Sequence, residues 1–293
     1  MNTVLDKSNK RIHMRFPGFK MKALTFSYDD GVIFDRKLID IFDKHGLKGT
    51  FNLNSGLFAD NEDSRRLSKE SAFKLYYNSG HEVAVHGVKH ISMPLFSKGA
   101  MANDIINDKK ELEKVFKTIV RGGAYANGLW DNESIEVLDI CGIKYYRGVT
   151  STERFDIPQK DEWLKLQPTC HHKNPKLMEL AKKFVEYNEE DYGLYMRRPM
   201  MFYVWGHSYE FNDNNNWEII ENFAKYVGKR DDVWYATNIE IYDYVTAFDN
   251  LEYSVDYDMV YNPSNIDVYL FFVGGRRVLA KAGQVTPIPP EKA

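Results

Sequence analysis

Short apolar runs alternate with amphipathic segments along most of this chain. Ala23-Leu24-Thr25-Phe26-Ser27-Tyr28 reads as a strand, and Asp35 to His45 reads as a helix with Leu38, Ile41 and Phe42 on one face. Gly46 then falls where a helix C-terminus favours a left-handed residue. Further strands are predicted at Gly49 to Leu53, Glu82 to Val85, Ile119 to Arg121, Ile143 to Val149, Met200 to Trp205 and Val233 to Ala236. Helices are predicted at Ser68 to Ser79, Ser97 to Lys117, Asn132 to Cys141, around Trp217 to Val227, and at Ile239 to Phe248. Such alternation implies a mainly parallel sheet with helices outside. The number of units points to a distorted (β/α) barrel of about seven strands.

The texture changes after Phe248. Leu251 to Gln284 carries Tyr, Val and Phe runs broken by Asn262-Pro263-Ser264 and Gly274-Gly275, without a helical period. The expected organisation is an N-terminal extension over 1–20, the α/β barrel over 21–248 and a small β-rich appendage over 249–293. The 293 residues, 43% hydrophobic, suffice for a core of that size.

Charge and cysteine content mainly exclude. A net charge of -3 gives no basic footprint for nucleic acid. Cys141 and Cys170 stand far apart in no metal-type spacing. No run of about 18 apolar residues exists, so no membrane span is expected. The first residues, MNTVLDKSNKRIHMRF, lack an apolar signal core, and the chain as given reads as cytoplasmic; a secreted chain trimmed of its leader would read the same.

The candidate chemistry lies where strands end. Asp29-Asp30-Gly31 directly follows the first predicted strand, and His86 follows Glu82 to Val85. Arg121 to Tyr125 and His207 close two more. In barrel enzymes the carboxyl ends of the strands form the active-site rim, so these groups should converge. His86 and His90, spaced i and i+4, would project from one face of a helical turn onto one metal. Zinc sites take a third protein ligand, which Asp29 or Asp30 would supply. Neighbours on a strand point to opposite faces, but Gly31 permits a turn that brings both carboxylates into one cleft.

Thr25-Phe26-Ser27-Tyr28-Asp29-Asp30-Gly31 and His86-Gly87-Val88-Lys89-His90 together resemble motifs of the polysaccharide deacetylases (carbohydrate esterase family 4, the NodB homology domain). The resemblance covers about residues 20 to 240. It implies Asp29 as general base, Asp30, His86 and His90 as ligands of one divalent metal with zinc the leading candidate, and His207 of Trp205-Gly206-His207 as general acid. It implies an acetylated carbohydrate as substrate, deacetylated at nitrogen or oxygen. Two departures stand out. Gly87 replaces the hydroxyl residue that steadies the histidine loop in the family. The third motif aligns in two ways, one placing Arg121 and Tyr125 in its roles, the other setting Ala126 and Asn127 in place of Pro and Tyr. Tyr125, Asn127, Trp205 and Arg121 are therefore expected around the substrate. Pro168-Thr169-Cys170-His171-His172 has no family counterpart; His171 and His172 could line a subsite, add a metal ligand or form a solvated loop. Two rival functions remain: hydrolysis of non-carbohydrate C–N bonds in cyclic ureides or imides, and sugar binding without catalysis.

Overall fold

The computed structural model describes residues 12–60 and 65–290; residues 1–11 of the expected N-terminal extension lie outside them. Its centre is a parallel sheet in which β2 (Lys22–Asp29) pairs with β3 (Gly49–Leu53) on one side and β8 (Met200–Gly206) on the other. The order continues through β4 (Glu82–Val85), β5 (Gly122–Ala124) and β6 (Tyr145–Arg147) at one end, and β7 (Cys170–His171) at the other. A short β9 (Val233–Tyr235) pairs with the lower half of β2. Leu166 bridges Arg147 just before β7 pairs β8, so the chain from 166 to 171 spans the gap between the two edges. This is a curled, distorted (β/α) barrel, as the strand and helix pattern implied.

Helices pack outside it: α1 (Asp35–His45), α2 (Lys69–Tyr76), α3 (Lys98–Phe116), α4 (Asn132–Ile140), α5 (Leu177–Glu186), α6 (Ser208–Asp213), α7 (Glu218–Val227) and α8 (Asn238–Asp249). The capping agrees with the sequence. Gly46 ends α1 at φ 66, and the Thr237 side chain accepts the Glu240 N–H at the start of α8. No helix among the described residues is long and apolar enough to cross a membrane.

One strand lies three residues from its predicted place. Ile119 is exposed, and pairing begins at Gly122 instead. Gly122 and Gly123 carry no hydrophobic signal, yet only glycine fits there. A Cβ would stand 2.0 Å from the Tyr145 ring at the first and 2.3 Å from the Tyr146 ring at the second.

The C-terminal segment forms two small antiparallel sheets. One joins β10 (Glu252–Tyr253), β11 (Met259–Tyr261) and β14 (Val285–Pro287). The other runs β1 (Ile12–Arg15), β12 (Val268–Phe272), β13 (Arg277–Ala280). Part of the expected extension is thus a buried strand hydrogen-bonded to the C-terminal segment.

Candidate active site

The site forms where β2 gives way to a turn. Asp30 adopts φ 87 and Gly31 φ 63, so the chain turns sharply after Asp29 and both carboxylates enter one cleft. Asp tolerates this backbone region better than most side chains. At Gly31 a Cβ would lie 2.9 Å from Leu53 Cδ2. The cleft, about 400 Å³, is lined by Asp29, Asp30, His86, His90, Tyr125, Asn127, Trp205 and His207, together with Val149 and Tyr209.

Asp29 is buried and tightly held. Asn52 Nδ2 donates to its Oδ1 at 2.7 Å, and Arg147 Nη2 donates to its Oδ2. Burial alone would raise the pKa of Asp29, but Arg147, His86 and His207 outweigh it and bring the carboxyl down to about 2. Asp29 Oδ2 stands 3.8 Å from His86 Nε2 and 3.9 Å from His207 Nε2, between the two imidazoles.

Asp30, His86 and His90 present donor atoms that all lie within 4.8 Å of one another. His86 Nδ1 is 2.8 Å from the Ala124 carbonyl, which assigns its proton to that nitrogen and leaves an Nε2 lone pair for the cleft. Burial holds the His86 pKa below the ordinary imidazole range. Its buried Nε2 has no hydrogen-bond partner among the described residues. An orphaned imidazole nitrogen beside a second histidine and a carboxylate fits a divalent cation.

The two histidines do not meet on a helical turn. Residues 86–92 form a loop in which Gly87 has φ 78 and His90 φ 57, and these two left-handed residues bring the ring centroids to 4.7 Å. The hydroxyl missing at Gly87 is replaced from outside the motif. Asn54 Nδ2 donates to the carbonyls of His86 and Gly87, each at 2.8 Å. Asp108 on α3 accepts the His86 N–H, and Asp104 accepts the Val88 N–H. Arg66 donates to Asp30 Oδ1 at 3.1 Å.

Arg121 is not brought to the cleft. Standing before the N-terminal end of β5, it forms a two-pronged pair with Asp243 at 2.9 and 2.6 Å. The cation on Asp29 is Arg147, from the end of β6, which also donates to Ser27 Oγ and stacks 4.3 Å from the Trp205 ring. Arg147 lies inside the predicted strand Ile143 to Val149, where no strand-end position marks it; a charged residue within a buried strand is the available signal. Tyr125 lines the wall, but its N–H donates to Arg147 O and its hydroxyl to Leu164 O, so neither is available to a substrate carbonyl. Asn127 donates to Ser92 Oγ at the rim.

His207 follows β8. Burial acts to lower its pKa, but Glu210 and the carboxylates of Asp29 and Asp30 prevail and hold it above the ordinary value. His171 and His172 are no solvated loop. His171 ends β7, and His172 is buried with its ring stacked against Tyr28 and Phe211. A Cβ at Gly206 would reach 2.1 Å from His172 Nδ1, which explains the glycine between Trp205 and His207. Glu210 and Asn52 complete this surround, and neither follows from the motifs.

Residues 17–146 match the family model described as polysaccharide deacetylase. That stretch, somewhat under half of the chain, is similar to the polysaccharide deacetylase family. A probable peptidoglycan-N-acetylglucosamine deacetylase of Arthroderma benhamiae is 29% identical over 101 residues, which is 34% of this chain and 21% of that protein. The chain thus spans about a fifth of the curated relative it matches. A solved putative polysaccharide deacetylase from Mycobacterium smegmatis superposes with a TM-score of 0.55 at 15% identity, over 80% of this chain and 94% of that one. The Xyl-CE4 domain of a multidomain xylanase from the hindgut metagenome of Trinervitermes trinervoides gives a TM-score of 0.52 at 14% identity, over 80% and 96%. At those identities the two structures share the fold.

Proposed function

We propose that this chain is a metal-dependent hydrolase that removes acetyl groups, N-linked or O-linked, from a carbohydrate. The observation that carries the reading is the arrangement around Asp29: the three-ligand set Asp30, His86 and His90 on one side, and His207 3.9 Å away on the other. A divalent cation held by that set, zinc by its donor chemistry, would polarise a carbonyl oxygen and make a water more acidic. The residues of the chain account for the remaining steps. Asp29, ionised at any ordinary pH, accepts the proton of the attacking water, with Arg147 and Asn52 fixing its oxygens. His207, whose raised pKa favours the imidazolium, donates a proton from Nε2 to the leaving amine or alcohol. Trp205, packed on Arg147, forms an apolar wall beside the reacting group.

Acetate release from N-acetylglucosamine oligomers and O-acetylated sugars, set beside ammonia or acid release from cyclic ureides, tests the substrate class. Acetate release that is lost in His86→Ala along with bound metal supports the proposal. Turnover of ureides with no acetate release would replace the carbohydrate by a soluble C–N substrate. Glycan binding with no turnover of either would make the chain a binding protein.

A further inference from the structure

The other ring nitrogen of His207 faces a second set of donors. Glu210 stands three residues after His207 on α6, and His171 and His172 arrive from the end of β7. His171 Nε2 is 3.2 Å and His172 Nε2 3.0 Å from Glu210 Oε2, while His207 Nδ1 is 3.8 Å from Glu210 Oε1. These separations are short and all three imidazoles interact with the Glu210 carboxylate, yet several of the atoms lack an aligned hydrogen bond. Both His172 nitrogens, His207 Nδ1 and Glu210 Oε2 are buried without a hydrogen-bond partner among the described residues. Buried polar groups left so cost on the order of 1–3 kcal/mol each, so the cluster calls for an occupant. The donor atoms of His171, His207 and Glu210 all lie within 4.8 Å of one another. Ligand atoms around a tetrahedral zinc stand roughly 3.3 Å apart, the order of separation found here.

We propose that His171, His207 and Glu210 form a second divalent-cation site, separate from that of Asp30, His86 and His90, with His172 as its buried wall. Two imidazoles and one carboxylate are a donor set that zinc takes. Lys173 is the competitor: its Nζ donates to Glu210 Oε1 at 2.9 Å, but the side chain is half-exposed and can withdraw into solvent. His171 Nδ1 accepts the exposed Lys173 N–H at 3.1 Å. Ligation through Nε2 moves the ring proton to Nδ1 and gives up that bond, while His207 releases the proton of its imidazolium. A cation on His207 Nδ1 and an imidazolium at His207 exclude each other. Given the proposed acid role of His207, occupation of this site inhibits turnover.

Counting zinc after equilibrium dialysis tests the site without reference to activity. The proteins compared are wild type, His86→Ala, Glu210→Gln, His171→Ala and the double variant His86→Ala with Glu210→Gln, each shown to be folded by circular dichroism. Two equivalents are expected in wild type, one in each single variant and none in the double variant. One equivalent in wild type with none in His86→Ala would overturn the proposal, as would two equivalents retained in both Glu210→Gln and His171→Ala. Should the first site be misassigned instead, His86→Ala would match wild type while Glu210→Gln still lost one equivalent.

Discussion

Replacing Arg147 by methionine keeps most of the side-chain volume but removes the charge that holds Asp29. Arg147 is fully buried and Asp29 nearly so, which leaves the carboxylate without its strongest partner. In the intact protein Asp29 sits at about 2 against an ordinary 3.8, a difference worth roughly 2 kcal/mol of stability at neutral pH by linkage. A depressed carboxylate pKa contributes stability that is present above the unfolded value and lost as pH falls through the folded value. In Arg147→Met burial dominates, the pKa of Asp29 rises above its unfolded value, and the ionised form becomes a liability at pH 7. Breaking a buried pair on one side costs about 3–5 kcal/mol. The cost should shrink near pH 4, where the variant can protonate Asp29. Urea unfolding at both pH values measures this, and the pH profile of turnover should show its acid limb moved upward. A destabilisation below about 1 kcal/mol, equal at both pH values, would refute the assignment of Arg147 as the group that sets Asp29.

Four further outcomes follow from the same geometry. Asp29→Asn should keep its metal by elemental analysis and lose nearly all turnover, since only the proton acceptor is removed. Gly87→Ala places a side chain at φ 78, 3.0 Å from Asp104 Oδ2; zinc competition should show metal affinity weakened about tenfold as the histidine loop shifts. Gly206→Ala forces a methyl to 2.1 Å from His172 Nδ1 and should lower stability by about 1–3 kcal/mol in urea unfolding. The raised pKa of His207 predicts an alkaline limb of turnover above the ordinary histidine range, because the proton is lost as pH rises through that value; His207→Gln should abolish this limb.

The strand-end residues were legible because a polar group directly after an apolar run marks a barrel rim. Asp29, Asp30, His86 and His207 all declare themselves this way, and the structure brings them together. What surrounds them was not legible. Asn52 and Arg147 sit inside strands, where a polar residue signals its role only once the facing strand is known. Asn54, Asp104 and Asp108 hold the histidine loop from distant elements, a task that the family motif gives to one hydroxyl. Strand β5 falls beyond its predicted place because its glycines admit the rings of Tyr145 and Tyr146, a packing need invisible to periodicity. Helix α5 lies outside the predicted segments, although Leu177, Leu180, Ala181 and Phe184 recur at helical spacing.

Acetate release from N-acetylglucosamine oligomers, followed before and after chelation and again after zinc is restored, tests the central claim most directly. Release that stops with the chelator and returns with one equivalent of zinc is the expected result. Release undiminished after complete removal of metal would contradict the account of Asp30, His86 and His90.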